Sequence, residues 1–219
     1  MRARSNYLGT VLRRLSSRYG YVLHTQLVHS DMTQLFVAVL LSPQNTDAQV
    51  NKVTPKLFSK FHTFDDFSKA QLPVLRGYLS SLNFYRTKAR NLKGASRLIV
   101  EHFGGKVPRT IGEMITLPGV GRKVANVVLN EGYGIDEGIA VDTHCGRVAV
   151  RLGLSSHKGK PEKIEKDLLK LIPKREWGNT SNLFIELGRD TCKARNRKCH
   201  MCVLRDICPS SQSRAKVSV

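Results

Sequence analysis

A short glycine-containing turn between two apolar segments constrains the fold of this chain more than any other stretch. Thr110 and Glu113 form a capping-box pattern that opens the first segment, which ends at Leu117. A tight Pro-Gly-Val-Gly turn follows, and Arg122 opens a second apolar segment. The pattern predicts a helix, a hairpin and a second helix.

The composition of this turn is typical of a phosphate-binding site. Gly119 and Gly121 permit positive φ angles and carry no side chains that would obstruct a partner, so successive backbone N–H groups can point outward together. These groups lie at the start of a helix, where an anion is stabilised. We therefore expect a phosphate contact from Gly119, Val120, Gly121 and Arg122. The alternative is an αα-corner that only turns the chain.

The charge of the chain predicts a polyanionic partner. Thirty-six Lys and Arg residues against seventeen Asp and Glu residues give a formal net charge of +19 among 219 residues, and the pI is about 10.1. A monomer that repels itself this strongly is most often a nucleic-acid-binding protein. A basic surface that serves only solubility is the alternative.

Targeting and membrane signals are not evident in the sequence. No apolar run approaches the roughly twenty residues that a membrane-spanning helix needs. The first twenty residues contain five arginines and no secretory apolar core. We expect a monomer that remains inside the cell, in the cytoplasm or nucleoid, with no membrane partner.

Apolar residues recur at helical spacing along most of the chain and predict an all-α fold. Leu35–Leu41 is apolar on every side, which indicates a central buried helix. No segment shows the alternation of a strand. Other helices are expected over residues 6–19, 50–61, 63–70, 73–80, 85–103, 143–152, 161–172 and 182–188, with helix stops at Gly20, Gly104, Gly132 and Gly134 and a polar, Ser-rich tail.

Four cysteines near the C-terminus predict a metal centre. They have the pattern C-x6-C-x2-C-x5-C and comprise Cys192, Cys199, Cys202 and Cys208. A [4Fe-4S] cluster suits this single C-x2-C pair with short loops, whereas structural zinc sites usually pair two such knuckles or add histidine. Zinc remains the alternative. The first loop carries Lys193, Arg195, Arg197 and Lys198, so a bound metal would hold a small basic lobe for contact with DNA phosphates.

Two further residues have the chemistry of a catalytic pair. Lys123 lies in the first turn of its helix beside Arg122, where two positive neighbours disfavour the protonated amine and favour a nucleophile. Asp142 precedes the next helix, whose N-terminus favours the ionised carboxylate. Together they suit cleavage of an N-glycosidic bond through a cationic sugar. A phosphate-contacting lysine and a capping aspartate are the ordinary alternatives.

Three ordered motifs resemble endonuclease III, the DNA glycosylase and abasic-site lyase of the helix-hairpin-helix superfamily. They are LPGVGRKVANVVLN, VDTH and the terminal cysteine pattern, and the similarity extends over nearly the whole chain, including LLSPQNTD and NFYRTKA. The resemblance implies that Lys123 forms a Schiff base, Asp142 is the catalytic carboxylate and the four cysteines bind a [4Fe-4S] cluster. It also implies a helical domain of about residues 25–135 and a second of 1–24 with 136–219, with DNA in the cleft between them.

The resemblance also assigns residues that fill the gap left by a flipped base. By position these are Gln44 and Phe84, where Phe84 replaces a frequent aliphatic residue and Pro43 and Asn45 replace smaller neighbours. A core anchor is the alternative for Phe84. His144 follows the catalytic aspartate and is expected to support the pocket or a phosphate, or to be a structural histidine.

The function expected is removal of oxidised pyrimidines from duplex DNA, followed by β-elimination at the abasic site. A monofunctional glycosylase acting on T or U opposite G is the rival, but such relatives lack the hairpin lysine. Adenine removal would require a glutamate that the buried helix Leu35–Leu41 does not offer. A non-catalytic DNA-binding module is the alternative from another class, and the presence of both Lys123 and Asp142 is evidence against it.

Overall fold

The computed structural model describes residues 2–20 and 25–212, with side chains from residue 6 onwards. The expected loop after Gly20 and the end of the polar tail fall on residues 21–24 and 213–219, which lie outside the described residues. The described chain is helical and contains no β-strand, which confirms the all-α prediction. Its α-helices are α1 Arg2–Tyr19, α2 Met32–Leu41, α3 Asp47–Phe58, α4 Phe64–Lys69, α5 Leu72–Leu79, α6 Tyr85–Phe103, α7 Ile111–Met114, α8 Arg122–Tyr133, α9 Thr143–Arg151, α10 Pro161–Leu171 and α11 Trp177–Asp190.

The chain divides into two compact units, each with its own apolar core. The hairpin unit, Thr25–Glu137, contains α2 to α8. The cysteine unit, Met1–His24 with Gly138–Val219, contains α1 and α9 to α11. Each functional side chain can therefore be related to the core of its own unit.

The hairpin unit is built around α2. Asp31 caps this helix, and its carboxylate accepts the Gln34 N–H at 2.9 Å. Every residue of Leu35–Leu41 is buried, because α2 packs against α3, α6 and α8. Each large apolar side chain buried in this way contributes about 1.5–3 kcal/mol to folding. The prediction of a central buried helix is confirmed.

The long helix α6 supports the rest of the hairpin unit. The short helices α4 and α5 pack on it. Phe64 of α4 meets Phe36 of α2 edge to face, with ring centroids 5.5 Å apart. The helix ends where Gly104 adopts the left-handed conformation at φ 58°, as the glycine pair predicts.

In the cysteine unit, α9 and α11 form the main helix pair, and α1 and α10 pack on one of them each. The amphipathic face predicted for α1 is buried through Leu8, Val11, Leu12 and Leu15. Small residues allow α11 to approach its neighbours closely, and Ser181 donates a buried hydrogen bond of 2.6 Å to the Ala140 carbonyl. This packing fixes the start of α9.

Several bounds of the predicted helices are wrong. The first helix begins at Arg2 rather than at residue 6, and α3 covers Asp47–Phe58 rather than 50–61, because Thr46 caps it. The α7 helix ends at Met114 rather than Leu117, because Thr116 and Leu117 bond to carbonyls three positions back in tighter turns. Gly132 lies inside α8 instead of ending it; a Cβ there would meet the Met32 thioether, and the helix ends at Gly134. The last helix begins at Trp177 rather than Asn182, since its first turns bury small residues that show no apolar periodicity.

Candidate active site and metal centre

The turn between α7 and α8 is a tight hairpin. The Val120 N–H donates to the Leu117 carbonyl at 3.1 Å, and Gly119 has a φ of 81°. A Cβ at Gly119 would lie 2.6 Å from Asn91 Nδ2 and 2.9 Å from Asn91 Cβ, so only glycine fits. Gly121 provides no side-chain cap to the first turn of α8. The start of α8 can therefore receive an anion, as the sequence predicts.

Lys123 occupies the first turn of α8, directly after the hairpin. Its helix is anchored by Val124, Ala125, Val128 and Leu129, all buried in the core of the hairpin unit. Lys123 itself is half-buried. The rigid helix thus fixes where the base of this amine side chain stands relative to the hairpin.

Asp142 caps α9 with one of its two carboxylate oxygens. Asp142 Oδ1 accepts the N–H groups of His144 at 2.8 Å and Cys145 at 2.7 Å. Because Oδ1 carries both capping bonds, Oδ2 is not part of the cap. Asp142 is half-exposed, while Cys145 is fully buried in the unit's core, where burial raises the pKa of its thiol. The carboxylate is held in a fixed orientation by the start of the helix.

His144 lies at a close contact between α9 and α11. A Cβ at Gly188 would lie 2.9 Å from His144 Cβ, so the two helices approach closely at this point. The Arg147 guanidinium lies 3.2 Å from His144 Nδ1 and donates to the Gly188 carbonyl at 2.9 Å. This contact positions the imidazole two residues after Asp142.

Gln44 and Phe84 share an unusual backbone conformation. Gln44 has a φ of 60° and Phe84 a φ of 58°, values rarely adopted by residues other than glycine, asparagine or aspartate. Both side chains are exposed, and Phe84 is 62% accessible. Exposure argues against the core-anchor alternative for Phe84. Each residue therefore projects from its loop in a strained backbone state.

The four C-terminal cysteines surround one cavity. Cys192, Cys199, Cys202 and Cys208 line a space of about 410 Å³ that is partly open to solvent. Burial raises the thiol pKa values of Cys202 and Cys208, an effect that a bound metal cation would offset. Within residues 2–20 and 25–212, no three His, Cys, Asp or Glu side chains form a ready site for a single metal ion. The four cysteine sulfurs that line this cavity are ligands that zinc and iron–sulfur clusters prefer.

The basic residues of the first cysteine loop lie at its surface. Lys193, Arg195 and Lys198 are exposed, and Arg197 is half-buried. Arg197 also lines the cavity and donates to the Ser210 carbonyl at 3.1 Å, which ties the loop to the end of the described chain. The loop can present positive charge to a polyanion.

Comparison with known proteins places the chain in a family. The model of the HhH-GPD superfamily of base excision DNA repair proteins matches residues 37–174. Endonuclease III of Bacillus subtilis is 44% identical, covering 87% of this chain and 87% of its own length. The Synechocystis enzyme is 46% identical over 82% of each chain, and that of Escherichia coli K12 is 38% identical over 84% of this chain and 86% of its own. The chain belongs to the endonuclease III family.

Solved structures agree with this membership. A trapped endonuclease III–DNA covalent intermediate has a TM-score of 0.89 at 39% identity, covering 94% of this chain and 96% of its own. A non-covalent endonuclease III–DNA complex has a TM-score of 0.88 at the same identity. A thermostable thymine-DNA glycosylase shares the fold, with a TM-score of 0.78 at 22% identity. This member of the endonuclease III family is a base excision repair enzyme of the DNA glycosylase and abasic-site lyase type.

Sequence reasoning missed two arginines that hold the cysteine loop. Arg151 donates to Cys192 Sγ at 3.2 Å and to the Lys193 carbonyl at 2.7 Å. Arg147 donates to the Cys192 carbonyl at 3.0 Å. Their spacing of four residues puts them on one face of α9, which was the available signal, but their partner lies more than forty residues away.

The structure brings some of the predicted site residues together. The four cysteines share one cavity, and the loops of Gln44 and Phe84 are hydrogen-bonded to each other. Lys123 belongs to the hairpin unit and Asp142 to the cysteine unit. In the described part of this endonuclease III family member, no helix is long and apolar enough to span a bilayer.

Proposed function

We propose that this chain removes oxidised pyrimidines from duplex DNA and then cuts the strand at the abasic site through an imine on Lys123. The observation that carries the proposal is the position of Lys123 in the first turn of α8, immediately after a hairpin suited to a phosphate. An amine at that point would lie near the backbone of a DNA strand bound by the hairpin.

The proposed reaction couples two bond cleavages through one amine. Lys123 Nζ attacks the sugar C1′, and the base departs with the electrons of the N-glycosidic bond while the amine loses a proton. Ring opening gives an imine between Nζ and C1′. The imine acidifies the C2′ proton; after its removal the C3′–O bond breaks, and the 3′ phosphate leaves. Hydrolysis of the imine returns the free lysine.

Asp142 is assigned the negative charge that this reaction needs. Departure of the base places positive charge on the sugar, and a fixed carboxylate lowers the energy of that state. The capping bonds to His144 and Cys145 hold the carboxylate without neutralising it. Asp142 is therefore proposed to stabilise the charged sugar.

DNA is held, in this proposal, by sites on both units. The hairpin residues Gly119, Val120, Gly121 and Arg122 bind a phosphate, and His144 supports the backbone near Asp142. Gln44 and Phe84 fill the space left by the extruded base. The basic loop adds Lys193, Arg195, Arg197 and Lys198, whose charges bind phosphates without reading sequence.

The four cysteines are proposed to hold a [4Fe-4S] cluster. Four sulfurs around one cavity form an all-thiolate donor set, and the Arg151 guanidinium donates to one of them. When bound, such a cluster joins the ends of the loop and keeps its basic residues in place. Zinc is the alternative that four thiolates also accept.

The deciding experiment is borohydride trapping on a duplex that contains one oxidised pyrimidine. Borohydride reduces the imine, so the wild-type protein should become covalently attached to the DNA. Lys123→Gln should bind but give no trapped product, because the hairpin N–H groups remain while the amine is lost. The matched control is Lys106→Gln, an exposed lysine in the turn after α6, which should trap as the wild type does.

Each other outcome excludes a named alternative. Trapping by Lys123→Gln would show that a different amine is the nucleophile. Excision by the wild type without trapping would favour the monofunctional mismatch glycosylase, and binding with neither reaction would favour the non-catalytic module. A panel of single-lesion duplexes in the same assay tests the preference for oxidised pyrimidines.

A further inference from the structure

The loops that carry Gln44 and Phe84 are joined directly to each other. Asn83 Nδ2 donates to the Gln44 carbonyl at 2.7 Å, and the Asn83 N–H donates to Asn45 Oδ1 at 2.8 Å. These residues are nearly forty positions apart in the chain. The two bonds run in parallel between the loops, so neither loop can shift far without breaking one of them.

Lys88, in the first turn of α6, adds a third connection between the two loops. Its ammonium donates to the Pro43 carbonyl at 2.7 Å, while its backbone N–H bonds to the Phe84 carbonyl at 3.0 Å. Lys88 is only 7% exposed, and burial lowers the pKa of its amine. Burying an ammonium group against a neutral carbonyl costs free energy. We therefore infer that Lys88 serves to position the Pro43 and Phe84 segments that it connects.

The bonds hold two residues whose backbones are strained. A left-handed residue other than glycine costs on the order of 1–3 kcal/mol where it is not favoured locally. Gln44 and Phe84 are both in this state, and neither side chain is buried in a core that would fix it. The carbonyls of Pro43 and Gln44 are the acceptors that the connecting bonds use. The connection therefore fixes the directions in which the two exposed side chains project.

We propose that Asn45, Asn83 and Lys88 form a loop clasp that positions Gln44 and Phe84 as one preassembled wedge for base extrusion. The inference rests on the proposed function, in which these two side chains fill the vacated stack. Preassembly removes the cost of ordering two separate loops when the base leaves the duplex. The clasp residues are positioning residues, since they act through Gln44 and Phe84.

The clasp should matter most where a base pair must be opened. Extruding a paired lesion costs a few kcal/mol of unpairing and unstacking, whereas a ready-made abasic site has no base to extrude. A preassembled wedge lowers the first cost and has little effect on the later elimination. The ratio of the rate of lesion excision to the rate of abasic-site cleavage therefore measures the effect of the clasp.

Two asparagine variants provide a matched test. Asn83→Asp replaces the donor to the Gln44 carbonyl with an acceptor and breaks that bond. Asn45→Asp adds the same charge and keeps the Oδ1 acceptor for the Asn83 N–H. It loses only Asn45 Nδ2 bonds within its own segment, such as that to the Pro43 carbonyl at 3.1 Å, so the bonds between the two loops remain. We expect Asn83→Asp to lower the excision-to-cleavage ratio roughly tenfold and Asn45→Asp to lower it much less. Gln71→Glu, an exposed residue without a capping bond, controls for charge alone.

A second readout separates the clasp from the chemistry. In the Lys123→Gln background, fluorescence of 2-aminopurine beside the lesion reports extrusion without any bond cleavage. Asn83→Asp and Phe84→Ala should slow the fluorescence rise by similar factors. Lys88→Met should also slow it while the melting temperature stays level or rises, since the buried ammonium is replaced by an apolar chain.

The outcomes distinguish this inference from the proposed function. Equal losses of excision and abasic-site cleavage in Asn83→Asp, or equal effects of both aspartates and Gln71→Glu, would overturn the clasp. A normal rate of extrusion in Lys88→Met and Asn83→Asp would do the same. Failure of the wild type to excise any oxidised pyrimidine would refute the proposed function instead, and the fluorescence comparison would still decide the clasp.

Discussion

At the scale of single residues, Asp142 caps α9 and, in the proposed function, also stabilises the charged sugar. Its Oδ1 atom accepts both capping bonds, so the orientation of the carboxylate depends on the first turn of α9. The oxygen of an amide can accept the same two bonds, but an amide carries no negative charge. The two tasks are therefore separable by substitution.

Asp142→Asn should preserve the fold and remove most of the chemistry. The amide oxygen continues to accept the N–H groups of His144 and Cys145, so the melting temperature should change little. Loss of the charge removes an electrostatic stabilisation of about 3–4 kcal/mol, and excision in single turnovers should fall by two to three orders of magnitude, roughly. Asp142→Ala is the comparison, because it loses the cap as well and should also melt earlier. Equal activity of Asp142→Asn and wild type would remove the catalytic role.

At the scale of helices, what the sequence predicts depends on where the determining contacts lie. The start of α9 at Asp142 and the end of α6 at Gly104 are encoded by the residues at those points, and both were predicted. The early start of α11 was not, because Gly178 and Ser181 are buried by their fit against other elements, which the sequence does not display.

The site follows the same rule. The cysteine pattern and the hairpin lysine are visible as local motifs. The bond from Asn83 to Gln44 and that from Arg151 to Cys192 join residues about forty positions apart, and nothing local marks either pair. Sequence reasoning therefore proposed candidate site residues from local motifs but missed the distant residues that hydrogen-bond to them.

Replacing two different glycines with alanine should change the stability of the protein in opposite directions. Gly188→Ala would place a Cβ 2.9 Å from His144 Cβ, an atom fixed near its own backbone, so α9 and α11 must separate. We expect a loss of stability of about 1–3 kcal/mol, measured as a lower melting temperature of the unit. Gly77→Ala in α5 has no atom within 4 Å of the added methyl and should gain about 0.5–1 kcal/mol. If Gly188→Ala instead raised the melting temperature, α9 and α11 would be able to separate at this contact without a loss of stability.

At the scale of the whole molecule, both units have apolar cores, but the segment that follows α11 contributes little to either of them. The hairpin unit has a continuous apolar core built on helices. The chain that follows α11 contains, among its described residues, one short 3₁₀ turn at Cys199–Met201 and a single fully buried apolar residue, Leu204. A paired Arg14–Asp206 contact adds a surface ion pair, which contributes little. The arginines of α9 and the Arg197 bond to Ser210 hold this segment, and in the proposed function a group bound by the four cysteines adds to them.

If the four cysteines hold a metal centre as proposed, removing it should loosen residues 192–212 and leave the hairpin unit intact. The purified protein should absorb broadly in the visible if the four thiolates hold an iron–sulfur cluster, whereas a zinc protein would be colourless.

After oxidation and chelation, hydrogen exchange should accelerate in peptides covering residues 192–212, because their loops lose the covalent links that replace a core. Peptides from α2 and α6 should keep their protection, since their burial does not involve the cysteines. Cys202→Ser should reproduce this local loosening and weaken binding to duplex DNA. Uniform acceleration across both units would mean that the bound group stabilises the whole chain, and an unchanged pattern would mean that the loop packs adequately without it.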